Sequence, residues 1–537
     1  MDQVDFYAQG PYLSTLRDLR FAFSSEARNC LVKQLIITIQ SYYVHLPIKR
    51  ATFAIDPIQE LELLLDAQAA NYTELSFFQQ ILNIINKLRD RHTTITLPEP
   101  WTKIVAYIPI MIEKYYEQGK PIYIISKKLF GYVNDEIVLG TRITHWNGTP
   151  IDLYLKDVLS TASQGSNDSA AEDLALANLT LRPLAYSVLP MEDWVTISCI
   201  SQENDYQTIS LPWKFFVEPS GLPKTSFKNS DSANNLLIGL DERMQYINLY
   251  NRQFYSLKKP QDQPEKVPIL KSLDVYLKYG VINTELGESA YLRFFSFEVG
   301  EVTNFIFQII DILKSFPQDR LIIDLRGNPG GIITAGQSLV QLLTSKPIKT
   351  SPVSFRNARG TRAFANLPYF APWKESLNIM SATGEIYSQD FSLTDLSNLP
   401  DYRYPGRVAL IVDSLSYSTC DFFAADFKDN EVGPIIGTSA RTGGGGANVW
   451  TYSLLSQYVK LSGGTPLEPL PNKMSMNISM RRAIRTGDNQ GLPIENFGTQ
   501  ADFVHKITYN DLMNNNIDLL KFTLEKLRVY SGASRNT

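Results

Sequence analysis

The sequence predicts a mixed α/β protein in three parts, and three observations carry that prediction. Residues 276–537 alternate apolar strands with apolar-faced helices, the pattern of a largely parallel sheet covered by helices. Residues 119–275 are broken into short β-branched runs by turn residues, which reads as a β-rich insert. Residues 1–118 repeat apolar residues at helical spacing and read as a helical N-terminal domain. The length, 537 residues, agrees with three or four units at about 150 residues per domain.

In the N-terminal part, the segments Leu61 to Ala69 and Phe77 to Leu88 predict helices, with Phe78, Ile81, Leu82, Ile85 and Leu88 on one face. The second run ends in Asp90-Arg91-His92-Thr93-Thr94-Ile95-Thr96, where β-branched residues predict a change from helix to strand. In the middle part, Pro121 to Ile125, Glu136 to Leu139 and Trp194 to Ile200 read as strands. Gly140 to Ile151 reads as a strand, an Asn147-Gly148 turn and a second strand, because Asn-Gly suits the left-handed backbone of a tight hairpin. Ser160 to Ala171 is small and polar and predicts a loop, while Asn229 to Asn235 and Lys258 to Lys266 predict exposed connections. The C-terminal part predicts strands at Ala290 to Phe295, Arg320 to Leu325, Arg407 to Asp413 and Pro434 to Gly437. Helices are predicted between them at Val302 to Leu313, Gly331 to Leu343 and Thr419 to Phe427.

Composition excludes several classes. Hydrophobic residues at 44% and charged residues at 20% are those of a globular chain with real cores, not of a disordered or fibrous one. The balance of 51 Lys+Arg against 55 Asp+Glu provides no basic excess to neutralise phosphates, so no nucleic-acid partner is expected. Cys30, Cys199 and Cys420 form no CxxC pair and no disulfide framework. His45, His92, His145 and His505 lie far apart without metal-ligand spacing, so no metal and no cofactor is expected. The first residues carry no basic and apolar leader, and no run reaches the ~20 apolar residues of a membrane span. The chain reads as soluble and cytoplasmic by default, or secreted if a leader has been trimmed; a homodimer stays open.

Two strand-to-helix turns concentrate chemistry. Asp324-Leu-Arg-Gly-Asn-Pro-Gly-Gly331 exposes backbone N–H groups at a helix start, which favours negative charge. Taken alone, a tight loop explains it, and no Gly-Lys-Ser/Thr follows to make a nucleotide loop. Val412-Asp-Ser-Leu-Ser-Tyr-Ser-Thr-Cys-Asp421 puts three serines between an apolar strand and an apolar helix. One Ser is explained as a helix cap; three in alternation are explained less well. A nucleophile there would gain from the helix dipole and from the next N–H as an oxyanion donor. No Gly-x-Ser-x-Gly elbow is present, which disfavours an ordinary α/β-hydrolase. The hydroxyl needs a base, usually His. His45, in an apolar run, reads as structural; His92, His145 and His505 remain candidates.

These residues resemble a known family. The first turn looks like the oxyanion turn of the C-terminal processing (tail-specific) serine peptidases. Ser416-Tyr-Ser-Thr-Cys-Asp-Phe-Phe-Ala-Ala-Asp-Phe-Lys-Asp429 looks like their nucleophile helix, in the register that makes Ser418 the nucleophile. The Lys base used by the bacterial and plastid enzymes falls at Gly443 here, within Arg441-Thr-Gly-Gly-Gly-Gly446, so a Ser–Lys dyad is not supported. The branch with a Ser–His–Glu arrangement is a better match. It includes the chlamydial protease-like activity factor, its fungal relatives and the tricorn peptidases. Its upstream Asp-x-His turn corresponds to Asp90-Arg91-His92, and its downstream Ile-Glu-Asn motif to Ile494-Glu495-Asn496, with Asp502 closing the motif and Thr499 replacing the usual Val.

The resemblance implies a crotonase-like peptidase core at 276–537 and a PDZ-like insert with further insertions at 119–275. It places the catalytic His in the helical domain at 1–118. It implies Ser418 as nucleophile, His92 as base and Glu495 as the carboxylate that orients the imidazole, with an oxyanion hole from Gly330 or Gly331 and Thr419. The expected activity is hydrolysis of peptide bonds in a protein or peptide substrate through an acyl-enzyme. A triad serves any acyl transfer, so a non-peptidase acyl hydrolase of a biosynthetic pathway is the rival enzyme. A non-catalytic ligand- or peptide-binding relative is the rival from another class.

Overall fold

The computed structural model describes residues 10–17, 22–66, 72–129, 131–132, 134–159, 164–187, 189–218, 236–255, 270–273 and 275–530. Among them, a seven-stranded sheet runs in the order Lys271–Leu273, Leu277–Thr284, Gly287–Phe294, Arg320–Asp324, Arg407–Val412, Ile435–Gly437 and Phe503–Val504. The first three strands are antiparallel to one another; every later pairing is parallel. Side chains alternate across a strand. Leu321 and Ile323 therefore pack with the helices Val302–Lys314, Ile333–Gln341 and Thr419–Asp429, while Ile322 faces Leu519, Leu524 and Leu527 of the last helix, Ile517–Val529. Both faces are apolar, so both need helices. Asp324 pairs in register with Ile411, which brings the turns after these two strands side by side at the carboxyl edge of the sheet.

A second sheet delivers the N-terminal segment to that edge. Thr94–Thr96 pairs antiparallel with Ser475–Ala483, which also pairs with Val353–Phe355 and Ala447–Thr451. The helices Ser25–Tyr42, Leu46–Phe53, Pro57–Asp66 and Glu74–Asn86 share one core with this sheet. Ser24 and Thr73 begin two of them by accepting hydrogen bonds from the N–H groups of Ala27 and Ser76.

The middle of the chain forms an antiparallel sheet ordered Ile110–Glu117, Lys120–Lys128, Arg142–Trp146, Trp194–Ile200 and Tyr206–Pro212, with Thr149–Pro150 beside Arg142–Trp146. Asn147 and Gly148 turn there with φ of 49° and 79°. The hairpin Ile110–Glu117/Lys120–Lys128 straddles residue 118, so the first strand of this sheet comes from the segment read as helical.

Other expectations need correction. Glu136 to Leu139 is a turn, not a strand. The Asn134 side chain accepts from the Glu136 N–H at 2.9 Å, and its carbonyl from Ile137 N–H at 3.3 Å, which competes with a ladder. The polar segment ending at Ala171 becomes helical at Asp168–Ala177, because Asn167 caps it by accepting from Ala170 N–H. Gly330–Ile332 is a short strand, and the helix starts only at Ile333. Asn229 to Asn235 and Lys258 to Lys266 lie outside the described residues, as do the last positions of Leu61 to Ala69. No helix among the described residues is long and apolar enough to cross a membrane.

Candidate active site

Ser418 stands at the start of the helix Thr419–Asp429 with φ 64° and ψ −116°. A side chain at positive φ is strained, and surrounding contacts must hold it there. Its N–H donates to Asp421 Oδ2 at 2.9 Å. Buried Asp421 also accepts from Thr442 Oγ1 (2.5 Å) and from the N–H groups of Gly444 (3.0 Å) and Gly445 (2.7 Å). One carboxylate thus ties the Ser418 turn to the loop 442–446, although burial raises its pKa. The other two serines are structural. Ser416 Oγ donates to Leu325 O at 2.9 Å, and Ser414 Oγ bonds Asp173.

His92 reaches this turn from 326 residues away, with Nε2 2.7 Å from Ser418 Oγ. The Asp90 side chain shapes the approach. Asp90 Oδ1 accepts from His92 N–H at 2.9 Å, while Oδ2 accepts from the hydroxyls of Thr93 and Ser479, each at 2.8 Å. Burial pushes the His92 pKa down to about 4, against the pull of Asp90 and Asp241. The imidazole is therefore neutral at pH 7, as a general base must be. Burial alone would raise the Asp90 pKa, but His45, His92 and Lys49 bring it down to about 2. His92 Nδ1 has no hydrogen-bond partner among the described residues; Asp90 Oδ1 lies 3.9 Å from it.

Glu495 is placed differently from the sequence expectation. Its carboxylate meets Lys49 Nζ at 2.5 Å, the Gly446 N–H at 3.1 Å and His45 Nε2 at 3.4 Å, and no hydrogen bond joins it to His92 among the described residues. His45, read from the sequence as structural, and Lys49, given no role there, are both buried inside this cluster. Burial lowers the His45 pKa to about 3 and raises the Glu495 pKa to about 8, the latter against the Lys49 ammonium. His45, Asp90 and Glu495 bring ligand atoms within 4.8 Å of one another. Lys49 already supplies the cation there, with Nζ also bonded to Arg89 O (2.9 Å) and Asn496 Oδ1 (2.5 Å).

Of the three expected oxyanion donors, one is engaged elsewhere. The Gly330 N–H donates to Asn328 Oδ1 at 2.9 Å. Gly331 pairs in register with Gly239, whose strand, Ile238–Leu240, lies antiparallel on Gly330–Ile332. The Thr419 N–H is the first amide of its helix and has no acceptor within it. The packing is tight: a Cβ on Gly239 would come 2.6 Å from Ser418 Oγ, and one on Gly330 2.3 Å from Gly239 O. A Cβ on Gly331 would fall 2.0 Å from the Phe297 carbonyl carbon, at φ 149°. Gly331→Ala is thus expected to lower the melting temperature, with a cost of about 1–3 kcal/mol or more for forced overpacking. Thermal unfolding followed by circular dichroism checks this.

The remaining candidates are elsewhere. His145 Nδ1 is 3.0 Å from Thr144 Oγ1, and His505 Nε2 is 2.7 Å from Asp511 Oδ2. Lys428 bonds Asp502 Oδ1 at 2.6 Å and Gln500 O at 2.8 Å. At ten residues from Ser418 along a helix it is about 15 Å away in rise. Lys428→Ala should keep most peptidase activity, and a loss as deep as that of a Ser418 variant would make Lys428 the base. Sequence reading gave no role of their own to Asp90, Asp421 and Lys49. Asp90 was signalled by the Asp-x-His spacing and Asp421 by its place three residues after the Ser; nothing local signalled Lys49.

Residues 288–469 match the family model described as peptidase family S41. No curated protein sequence matches the chain. Among solved structures, mature CPAF is similar in fold, with a TM-score of 0.67 and 17% identity over 96% of this chain and 99% of that one. CPAF complexed with lactacystin gives a TM-score of 0.66 and 18% identity over 94% of this chain and 99% of that one. Residues 288–469 thus match peptidase family S41, and the chain has an α/β fold like that of CPAF.

Proposed function

We propose that the protein is a serine endopeptidase in which Ser418 attacks the substrate carbonyl and His92 accepts its proton, then returns it to the leaving amine. The observation that carries this reading is the 2.7 Å contact between His92 Nε2 and Ser418 Oγ in a buried, strained turn. The negative charge of Asp90, 3.9 Å from His92 Nδ1, stabilises the imidazolium that forms. The N–H groups of Thr419 and Gly331 receive the oxyanion, and a substrate reaches them when the strand Ile238–Leu240 leaves Gly330–Ile332. We read 276–537 as a crotonase-like core, supported by its parallel sheet and flanking helices. The antiparallel sheet supports a PDZ-like insert at 119–275, and 1–118 is the helical part that carries His92.

A non-peptide acyl hydrolase would use the same groups; the S41 domain favours peptide bonds. Fluorophosphonate labelling, followed by peptide mapping and a peptide-library digest read by mass spectrometry, tests the reading. Label on Ser418 and cleaved internal peptide bonds are expected. Absence of label on folded protein would leave a binding protein. The pH profile is a second check. Because the base must be neutral and its pKa is lowered to about 4, kcat/KM should hold between pH 7 and 5 and fall as pH drops through about 4. An acid limb near the ordinary value of 6.5 would mean that another group is the base.

A further inference from the structure

The strand across Ser418 is gripped mainly by its backbone. Asn448 Nδ2 donates to the carbonyls of Leu236 and Ile238, each at 2.9 Å, and Arg481 Nη2 donates to Leu236 O at 2.6 Å. Thr419 Oγ1 donates to Gly239 O at 3.1 Å, and the ladder with Gly330–Ile332 completes the grip. Such contacts accept any extended peptide, so selectivity has to come from side chains.

One charged contact reads a side chain. Arg91 Nε donates to Asp241 Oδ2 at 2.6 Å, both residues being buried. Asp241 Oδ1 is occupied, because it accepts from Met244 N–H at 3.0 Å. The Arg91 guanidinium lies 4.0 Å over the Tyr417 ring, and its Nη1 and Nη2 have no hydrogen-bond partner among the described residues. A guanidinium offers a planar fork that fits a carboxylate with two bonds, and buried donors left unpaired are costly. Arg91 therefore keeps an unused pair of donors one residue from His92, at a position that already receives a carboxylate.

We propose that Arg91 is the carboxylate-binding residue of the substrate cleft, at the place where the Asp241 side chain sits in this structure. This rests on the peptidase reading above. A peptide substrate lies along Gly330–Ile332 as Ile238–Leu240 does, with a carboxylate two residues after the residue that faces Ser418. The carboxylate is an Asp or Glu side chain, or the terminal carboxylate of a chain that ends at that residue; both present the same two oxygens to the fork.

Full-length Ser418→Ala protein and fluorescein-labelled peptides test this by anisotropy. One peptide is Leu-Leu-Ile-Gly-Leu-Asp-Ala-Ala amide, the second has Asn for Asp, and the third is Leu-Leu-Ile-Gly-Leu-Ala with a free carboxyl end. The Asp peptide or the free-end peptide should bind about 10- to 100-fold more tightly than the Asn peptide, the range for hydrogen bonds to a charged group. Which of the two binds more tightly identifies the source of the carboxylate. The preference should vanish in Arg91→Gln and persist in part in Arg91→Lys, which keeps the charge should the first variant fail to fold. Equal binding of all three peptides, no binding of any, or a preference that survives Arg91→Gln would overturn the proposal. Ser418 labelling on unaltered protein is read separately, so label without carboxylate preference removes this inference alone.

Discussion

His92→Ala is expected to lower kcat on a peptide substrate by about 10⁶-fold, the scale seen when the base of a serine peptidase is removed alone. The expectation follows from position: among the described residues, His92 is the imidazole whose ring nitrogen meets Ser418 Oγ. The side chain is buried and its neutral form is favoured, so its removal takes away proton transfer in both directions. Ser418→Ala should match it, and the double variant should lose no more than either single one, since the two act as a unit. Single-turnover kinetics on a quenched fluorescent peptide measure all three. A His92→Ala enzyme within about tenfold of the starting activity would assign the base elsewhere.

Lys49→Met should destabilise the fold by about 1–3 kcal/mol, the cost of leaving buried polar partners unpaired, since Glu495, whose pKa burial raises to about 8, then takes up a proton rather than standing as a lone charge. Lys49 and Glu495 are both fully inside the protein, 2.5 Å apart, with His45 and Asp90 beside them. Without the ammonium, the Glu495 carboxylate faces only the Gly446 N–H and His45, and burial already favours its protonated form. Lys49→Met combined with Glu495→Gln should recover most of the loss, because two neutral groups no longer need each other. Urea unfolding gives both numbers. If the single variant loses less than about 1 kcal/mol, the pair is not held in a dry interior.

Much of the scaffold was determined by the sequence itself. Strands such as Arg407–Val412 and helices such as Val302–Lys314 are legible because each buries its own apolar residues with its own period. The Ser418 turn is a short polar break between apolar runs whose three alternating serines pointed to chemistry, while the base role of His92 came from the resemblance to a known family. Tertiary structure decided what these segments meet. Nothing near Glu495 in the chain tells that its partner is Lys49 rather than His92, because that pairing depends on how the segments around 45, 90 and 495 pack together. His45 looked like a core residue for the same reason: a buried His in an apolar run has one local signature whether it touches carbon or a carboxylate. The Gly330 amide reads as free in a glycine turn until the Asn328 side chain folds back on it. The strand Ile238–Leu240 is three residues long, too short for any period, and becomes a strand only because Gly330–Ile332 supplies its partner. Local burial is written residue by residue in the chain; the pairing of distant polar groups is a property of the closed core, where each buried charge must find whichever partner packing brings near.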